Sequence, residues 1–164
     1  MTVLENTQQA TQEKKETTQL RILRLEDFPA VWQIFAETFP TKYQDEFRFS
    51  WLSRATAYSW ALWQNESLKG FIITSFQAEL ENSYHIHFIG THPSVQKGGF
   101  GTTLLHKVIQ QAFFQKKPVT LIPIMNERLI RWYEKQGFSF LSDRKPIISP
   151  YTGEEEQLMI IRGT

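Results

Sequence analysis

The feature that most constrains this chain is a glycine-rich turn, Gln96-Lys97-Gly98-Gly99-Phe100-Gly101-Thr102, set between a β-rich run and a helix-like run. Upstream, Tyr84 to Thr91 reads as a strand ending before the extended-biased His92-Pro93. Downstream, Leu104, Leu105, Val108, Ile109, Ala112 and Phe113 keep helical spacing through Thr102 to Gln115. A second apolar run, Val119 to Ile124, follows Lys116-Lys117-Pro118. Strand, helix and strand in that order predict a βαβ crossover with the turn at the helix N-terminus. Unpaired N–H groups and the positive end of the helix dipole converge there, so the turn predicts an anion site that suits a polyphosphate. Glycines let the backbone approach a phosphate, while Gln96 and Lys97 add a donor and a charge. Two familiar nucleotide motifs do not fit. Leu104 stands where a dinucleotide fingerprint needs its third glycine, and the Gly-Lys-Ser/Thr ending of a P-loop is absent.

The remainder of the chain supplies the other elements. Residues 1 to 18 are mostly Thr, Gln, Glu and Lys and predict a flexible polar tail, with the folded domain spanning residues 19 to 164. Leu20 and Ile22 alternate with Arg21 and Leu23 as a first strand. Asp27 is placed to cap a helix with Pro29 in its first turn, and a second helix is predicted over residues 42 to 54. Tyr58 to Trp63 and Leu68 to Phe76 predict a hairpin about the polar Gln64-Asn65-Glu66-Ser67. After the crossover come a helix over Glu127 to Gln136, ended by Gly137, and β segments at Phe138 to Leu141 and Gln157 to Ile161. The order βααβββαβαββ predicts an α/β (α+β) domain with a mixed sheet and helices on both faces.

Composition narrows the function. At 164 residues the chain is one domain in size, and 41% hydrophobic residues with 13 Phe, 5 Trp and 5 Tyr suffice for a core. Eighteen Lys and Arg against 17 Asp and Glu leave +1, so neither nucleic acid nor an anionic membrane is an expected partner. Without cysteine there is no thiolate nucleophile and no cysteine zinc site. No histidine pair has the helical spacing of a zinc site, so no metal is expected, and no Gly-x-Ser-x-Gly elbow occurs. No apolar run approaches a membrane span of roughly 18 residues, and the first residues lack a secretory hydrophobic region, so a cytoplasmic location is expected.

Within the strand before the turn, His85 and His87 alternate with Ile86 and Phe88, so both imidazoles face one side. Histidine, ordinarily near ~6.5, can accept a proton near neutral pH, so the pair is a candidate general base. Asn126 precedes the second helix as a natural N-cap, and Tyr133 lies seven residues further on. Arg128, Arg131 and Lys135 read as solvated helix charges, and His106 as exposed.

His-Pro, Gln96-x-x-Gly99-x-Gly101, an amphipathic helix, a strand, Asn126, Tyr133 and Gly137-Phe138, in that order, resemble the GNAT superfamily of acetyl-CoA-dependent N-acetyltransferases. The resemblance is strongest over residues 84 to 140 and implies a mostly antiparallel sheet of about six or seven strands. It implies that Ile89, Gly90 and Thr91 pair with the pantetheine arm of acetyl-CoA. By the same likeness Gln96, Lys97, Gly98, Gly99, Phe100, Gly101 and Thr102 hold the pyrophosphate, and Asn126 touches the cofactor. Gly90 is further expected to allow a bulge in the strand.

The His85-x-His87 pair, at its offset from Gln96, resembles that of arylalkylamine N-acetyltransferases, where paired histidines deprotonate the amine. Tyr133 matches the tyrosine that protonates the leaving thiolate. The implied partners are acetyl-CoA and a small-molecule or peptide amine, taken by a monomer or homodimer. Phe47, Trp51, Trp60 and Trp63 either suit an aromatic amine or form core. The alternative is a GNAT-fold module that binds or senses coenzyme A without turnover.

Overall fold

The computed structural model describes residues 17–96 and 98–163, so the expected tail up to residue 16 lies outside the described residues, while Thr18, its expected last residue, belongs to the first strand. The elements follow the predicted order with one hairpin added. Strand β1 (Thr18–Ile22) leads to helices α1 (Phe28–Thr38) and α2 (Gln44–Leu52), then strands β2 (Trp60–Gln64), β3 (Ser67–Gln77) and β4 (Ser83–Thr91). The crossover is α3 (Phe100–Phe114) to β5 (Val119–Leu121), followed by α4 (Glu127–Lys135) and β6 (Ser139–Phe140). A small separate hairpin, β7 (Ile147–Ile148) with β8 (Glu155–Glu156), precedes β9 (Met159–Ile161). The seven-stranded sheet runs β1-β2-β3-β4-β5-β9-β6. Its one parallel junction is β4 with β5, as a helical crossover requires. Among the described residues no helix is long and apolar enough to cross a membrane.

Apolar side chains divide between the two faces of the sheet. On one face α3 and α4 bury Leu104, Leu105, Val108, Ala112 and Tyr133 against Ile72, Ile86, Leu121 and Met159. On the other, α1 and α2 bury Val31, Ile34, Phe35, Phe47 and Trp51 against Phe71, Ile73 and Phe88. The aromatic richness of the first half is therefore largely packing, with Phe35 and Phe47 stacked at 4.1 Å and Phe88 set edge-on to both.

Local chemistry explains the boundaries and four departures from expectation. The β2–β3 hairpin turns on Asn65 and Glu66, both at positive φ, a twist that matches the flanking strands. Asp27 does not cap α1. Its Oδ2 accepts the Arg24 N–H at 2.8 Å, closing the preceding 3-10 turn instead. Strand β5 ends at Leu121 rather than Ile124, because a ladder needs a partner: β4 and β9 both pair with β5 over Val119–Leu121 only.

The bulge expected at Gly90 lies elsewhere. Ile73 pairs with Phe88 and Thr74 with Ile86, leaving His87 as the extra residue of β4. Gly90 is required for a different reason: a Cβ there would sit 2.8 Å from the Phe71 ring. The sequence also offered no sign of the β7–β8 hairpin, whose strands are two residues each.

Candidate active site

Beyond Ile86 and Leu121 the parallel strands part. Strand β4 continues to Thr91 against β3 alone, so alternate backbone groups of its last residues face the vacated edge without a sheet partner. The gap opens into a cleft of about 1100 Å³ that passes between the two faces of the sheet. Ligand clefts of α/β sheets form where neighbouring strands diverge in this way.

The α3 end of the cleft carries the glycine-rich turn. Gly99 is the N-cap of α3, with φ +77 and open space where a Cβ would stand. Its carbonyl accepts the Thr103 N–H at 3.0 Å, so the amides of Phe100, Gly101 and Thr102 precede the first intrahelical bond and remain available. Gln96, Gly99, Gly101 and Thr102 line the cleft, as do Ile89, Gly90 and Thr91. Gly98 and Phe100 do not. The Gly98 N–H is spent on the Val95 carbonyl at 2.9 Å, and the Phe100 ring packs on the α3-side core. Lys97 lies outside the described residues. The turn thus presents helix-terminal amides and a glycine cradle to one end of the cleft, a fit for a phosphate-bearing ligand.

Helix α4 forms one wall. Asn126 caps it, its Oδ1 accepting the Leu129 N–H at 3.1 Å, and stands at the cleft rim. Arg128, Leu129, Trp132 and Tyr133 fall on the helical face turned to the cleft, so Arg128 is not merely a solvated charge. Arg131, by contrast, pairs with Glu127 in solvent. Tyr133 is 5% exposed, packs edge-on to Phe138, and its hydroxyl makes no hydrogen bond among the described residues. Burial pushes the phenol above its ordinary value, so it stays protonated as a donor.

The two histidines lie on the opposite face of the sheet from Tyr133. Their rings meet edge to face at 5.0 Å. His85 Nδ1 is 2.9 Å from Thr120 Oγ1, and His87 Nε2 is 2.6 Å from Ser75 Oγ. Burial, and for His85 also the neighbouring ring, lowers the pKa to about 3 in His85 and about 4 in His87. Both rings are therefore neutral at physiological pH, well below the ordinary imidazole value. His106, as expected, is exposed and bonds Gln136.

The far end of the cleft is acidic. Glu46 on α2 faces Glu156 across the opening, and Glu154 and Glu155 stand beside it on the hairpin. Burial and Glu156 push Glu46 up to about 7. Lys42 bonds Glu154, tying the segment before α2 to the hairpin. Sequence reasoning missed these carboxylates, together with Thr120 and Ser75. Only the Glu154-Glu155-Glu156 run is visible in one dimension, and nothing there links it to Glu46, more than a hundred positions away. Phe47 and Trp51 are core, and neither they nor Trp60 and Trp63 line the cleft. Among the described residues no group of three or more His, Asp or Glu is placed to hold a metal ion.

Comparison with known proteins gives one family. The model of the acetyltransferase (GNAT) family matches residues 20–138. No curated protein sequence matches the chain. Among solved structures, the ribosomal-protein-S18-alanine N-acetyltransferase from Escherichia coli superposes with a TM-score of 0.68 at 23% identity, over 89% of this chain and 94% of that one. Ard1 from Thermoplasma volcanium gives 0.74 at 17% identity, over 90% and 98%. Arabidopsis thaliana Naa50, in complex with the bisubstrate analogue CoA-Ac-MVNAL, gives 0.71 at 17% identity, over 89% and 99%. At these identities the likeness is one of fold.

Proposed function

The chain belongs to the acetyltransferase (GNAT) family, and from that premise we propose that it transfers the acetyl group of acetyl-CoA to a primary amine of a small molecule or peptide. The observation that carries this reading is the parting of β4 and β5, which joins a helix terminus with free backbone amides to a buried imidazole pair through one cleft. Acetyl-CoA supplies an activated thioester. Gly99 to Thr102 would hold its pyrophosphate through backbone amides, and the free edge of Ile89 to Thr91 would pair with its pantetheine amides. Asn126 and Arg128 stand at the rim where further polar contacts form.

The chain's own groups then divide the work between the two faces of the sheet. An alkyl amine, near ~10.4, arrives mostly as ammonium and must lose a proton before it attacks. Glu154, Glu155 and Glu156, and Glu46 once it ionises above about 7, would attract that cation to the cleft. His85 and His87, both neutral, would take the proton directly or through water. The amine nitrogen bonds to the carbonyl carbon as the carbon–sulfur bond breaks, with no acyl-enzyme. Backbone N–H groups of the Phe88 to Gly90 segment would polarise the carbonyl, and the unpartnered Tyr133 hydroxyl would hydrogen-bond the departing sulfur.

Titration calorimetry with acetyl-CoA, combined with a thiol-release assay over an amine panel, tests this. Free coenzyme A must appear in proportion to added acceptor. Tight cofactor binding with no acceptor-dependent thiol across the panel would reduce the protein to a coenzyme A-binding module.

A further inference from the structure

His85 ends a chain of hydroxyl groups that leaves only one arrangement of protons. Ser83 Oγ lies 2.5 Å from the Leu80 carbonyl oxygen. A carbonyl cannot donate, so the single Ser83 proton lies in that bond. Ser83 Oγ also lies 2.6 Å from Thr120 Oγ1, and with its own proton committed it must accept there. Thr120 therefore gives its proton to Ser83. Thr120 Oγ1 is in turn 2.9 Å from His85 Nδ1, and having no proton left it accepts from that nitrogen. Ser83 and Thr120 are fully buried and His85 is 6% exposed, so water does not compete for these bonds.

We infer that Thr120 and Ser83 are positioning residues that hold His85 as the Nδ1–H tautomer and turn the lone pair of its Nε2 to the cleft, making His85 the proton acceptor of the pair. His85 lines the cleft, and its Nε2 makes no hydrogen bond among the described residues. His87 is differently placed: its Nε2 is engaged by Ser75, whose oxygen also accepts from Gln77 Nε2 at 2.7 Å. The tautomer decides whether the site functions. The opposite form would aim an Nε2–H at an incoming ammonium, donor against donor, and no proton could pass. This inference rests on the acetyltransferase reading for its catalytic meaning, but the tautomer itself is a property of the resting protein.

The test is a long-range proton–nitrogen correlation spectrum of protein labelled with ¹⁵N in histidine, without acetyl-CoA, near pH ~7. His85 is assigned by the signal missing from His85→Gln. The expected result is protonation at Nδ1 and a bare Nε2. In Thr120→Val the buried Nδ1–H loses its acceptor. The ring should then shift toward the Nε2–H form, and kcat should fall about ten- to a hundred-fold with the KM for acetyl-CoA unchanged. Thr120→Ser should restore both. Ser83→Ala frees the Thr120 proton to point back at Nδ1 and should shift the tautomer the same way, which decides the matter if Thr120→Val does not fold.

A parent spectrum showing Nε2–H overturns the inference, as does a Thr120→Val protein that keeps both tautomer and rate. A correct tautomer without acceptor-dependent thiol release would sink the acetyltransferase reading and leave the tautomer assignment standing. Turnover with the wrong tautomer does the reverse.

Discussion

Ile86 and Phe88 stand two positions apart on β4 yet enter opposite cores. A regular strand would send both to one face. His87, without a partner in β3, absorbs the extra step, and the alternation restarts after it. The bulge lets Phe88 join the α1–α2 core while the imidazole of His87 remains beside that of His85. One irregular residue thus brings two titratable rings to the point where β4 leaves β5.

Replacing both histidines by alanine should cost on the order of ten- to ten-thousand-fold in kcat/KM, with acetyl-CoA affinity little changed. His85→Ala should cost more than His87→Ala. Because burial lowers both rings to about 3 and 4, the parent's profile should show no inflection near ~6.5 that the double variant loses. A limb at that position that disappears in the variant would mean the rings titrate in water.

The glycine turn separates strain from ligand contact. Gly99→Val forces a side chain into φ +77 and should lower both the melting temperature and cofactor affinity. Gly101→Ala meets only ordinary contacts, with Trp132 at 3.8 Å and Thr91 at 3.9 Å, so the fold should tolerate it. Its methyl group occupies space where the turn faces the cleft, and acetyl-CoA affinity should fall about ten-fold or more by calorimetry. Normal binding by Gly101→Ala would displace the pyrophosphate from this turn.

Tyr133→Phe removes a cleft-lining hydroxyl that has no hydrogen-bond partner among the described residues. Stability should change little, since no hydrogen bond within the protein is lost and the hydroxyl faces the open cleft. The rate should nonetheless fall about ten-fold or more if, as proposed, the hydroxyl hydrogen-bonds the departing sulfur. Equal kcat in parent and variant would assign Tyr133 to packing alone.

Stability should respond to pH through two opposed groups. Unfolded histidine binds a proton near ~6.5, whereas folded His85 and His87 stay neutral down to about 3 and 4. The unfolded state holds more protons in that window, so these rings lower stability as pH falls through it. Glu46 has the opposite sign. Raised from 4.5 to about 7, it holds its proton in the folded state after the unfolded state has lost it, so stability falls as pH rises through that window. Glu46→Gln should therefore melt higher than the parent at about pH 8 and equally at about pH 4. The same variant should raise the KM for amine while leaving that for acetyl-CoA alone. Melting curves at both pH values decide the first point, and a lower melting temperature at the alkaline one would contradict it.

The order of elements, the glycine turn at a helix N-terminus, the capping Asn126 and the histidine pair were all legible in the chain, because each is a local matter of spacing, propensity or backbone freedom. Phe35 and Phe47 could be recognised as apolar helix positions for the same reason, but their stacking could not. Tertiary structure alone decided where β5 stops, since its end at Leu121 depends on partners β4 and β9 rather than on the apolar run to Ile124. It alone moved the bulge from Gly90 to His87, because the register of β3 determines which residue is left over. It also brought Glu46 to Glu156 and Thr120 to His85, contacts between residues far apart in the chain. Periodicity places a side chain on a face of its own element. Which nitrogen of a buried neutral ring carries the proton depends on what another element places against it, and here that is the hydroxyl of Thr120 on the neighbouring strand.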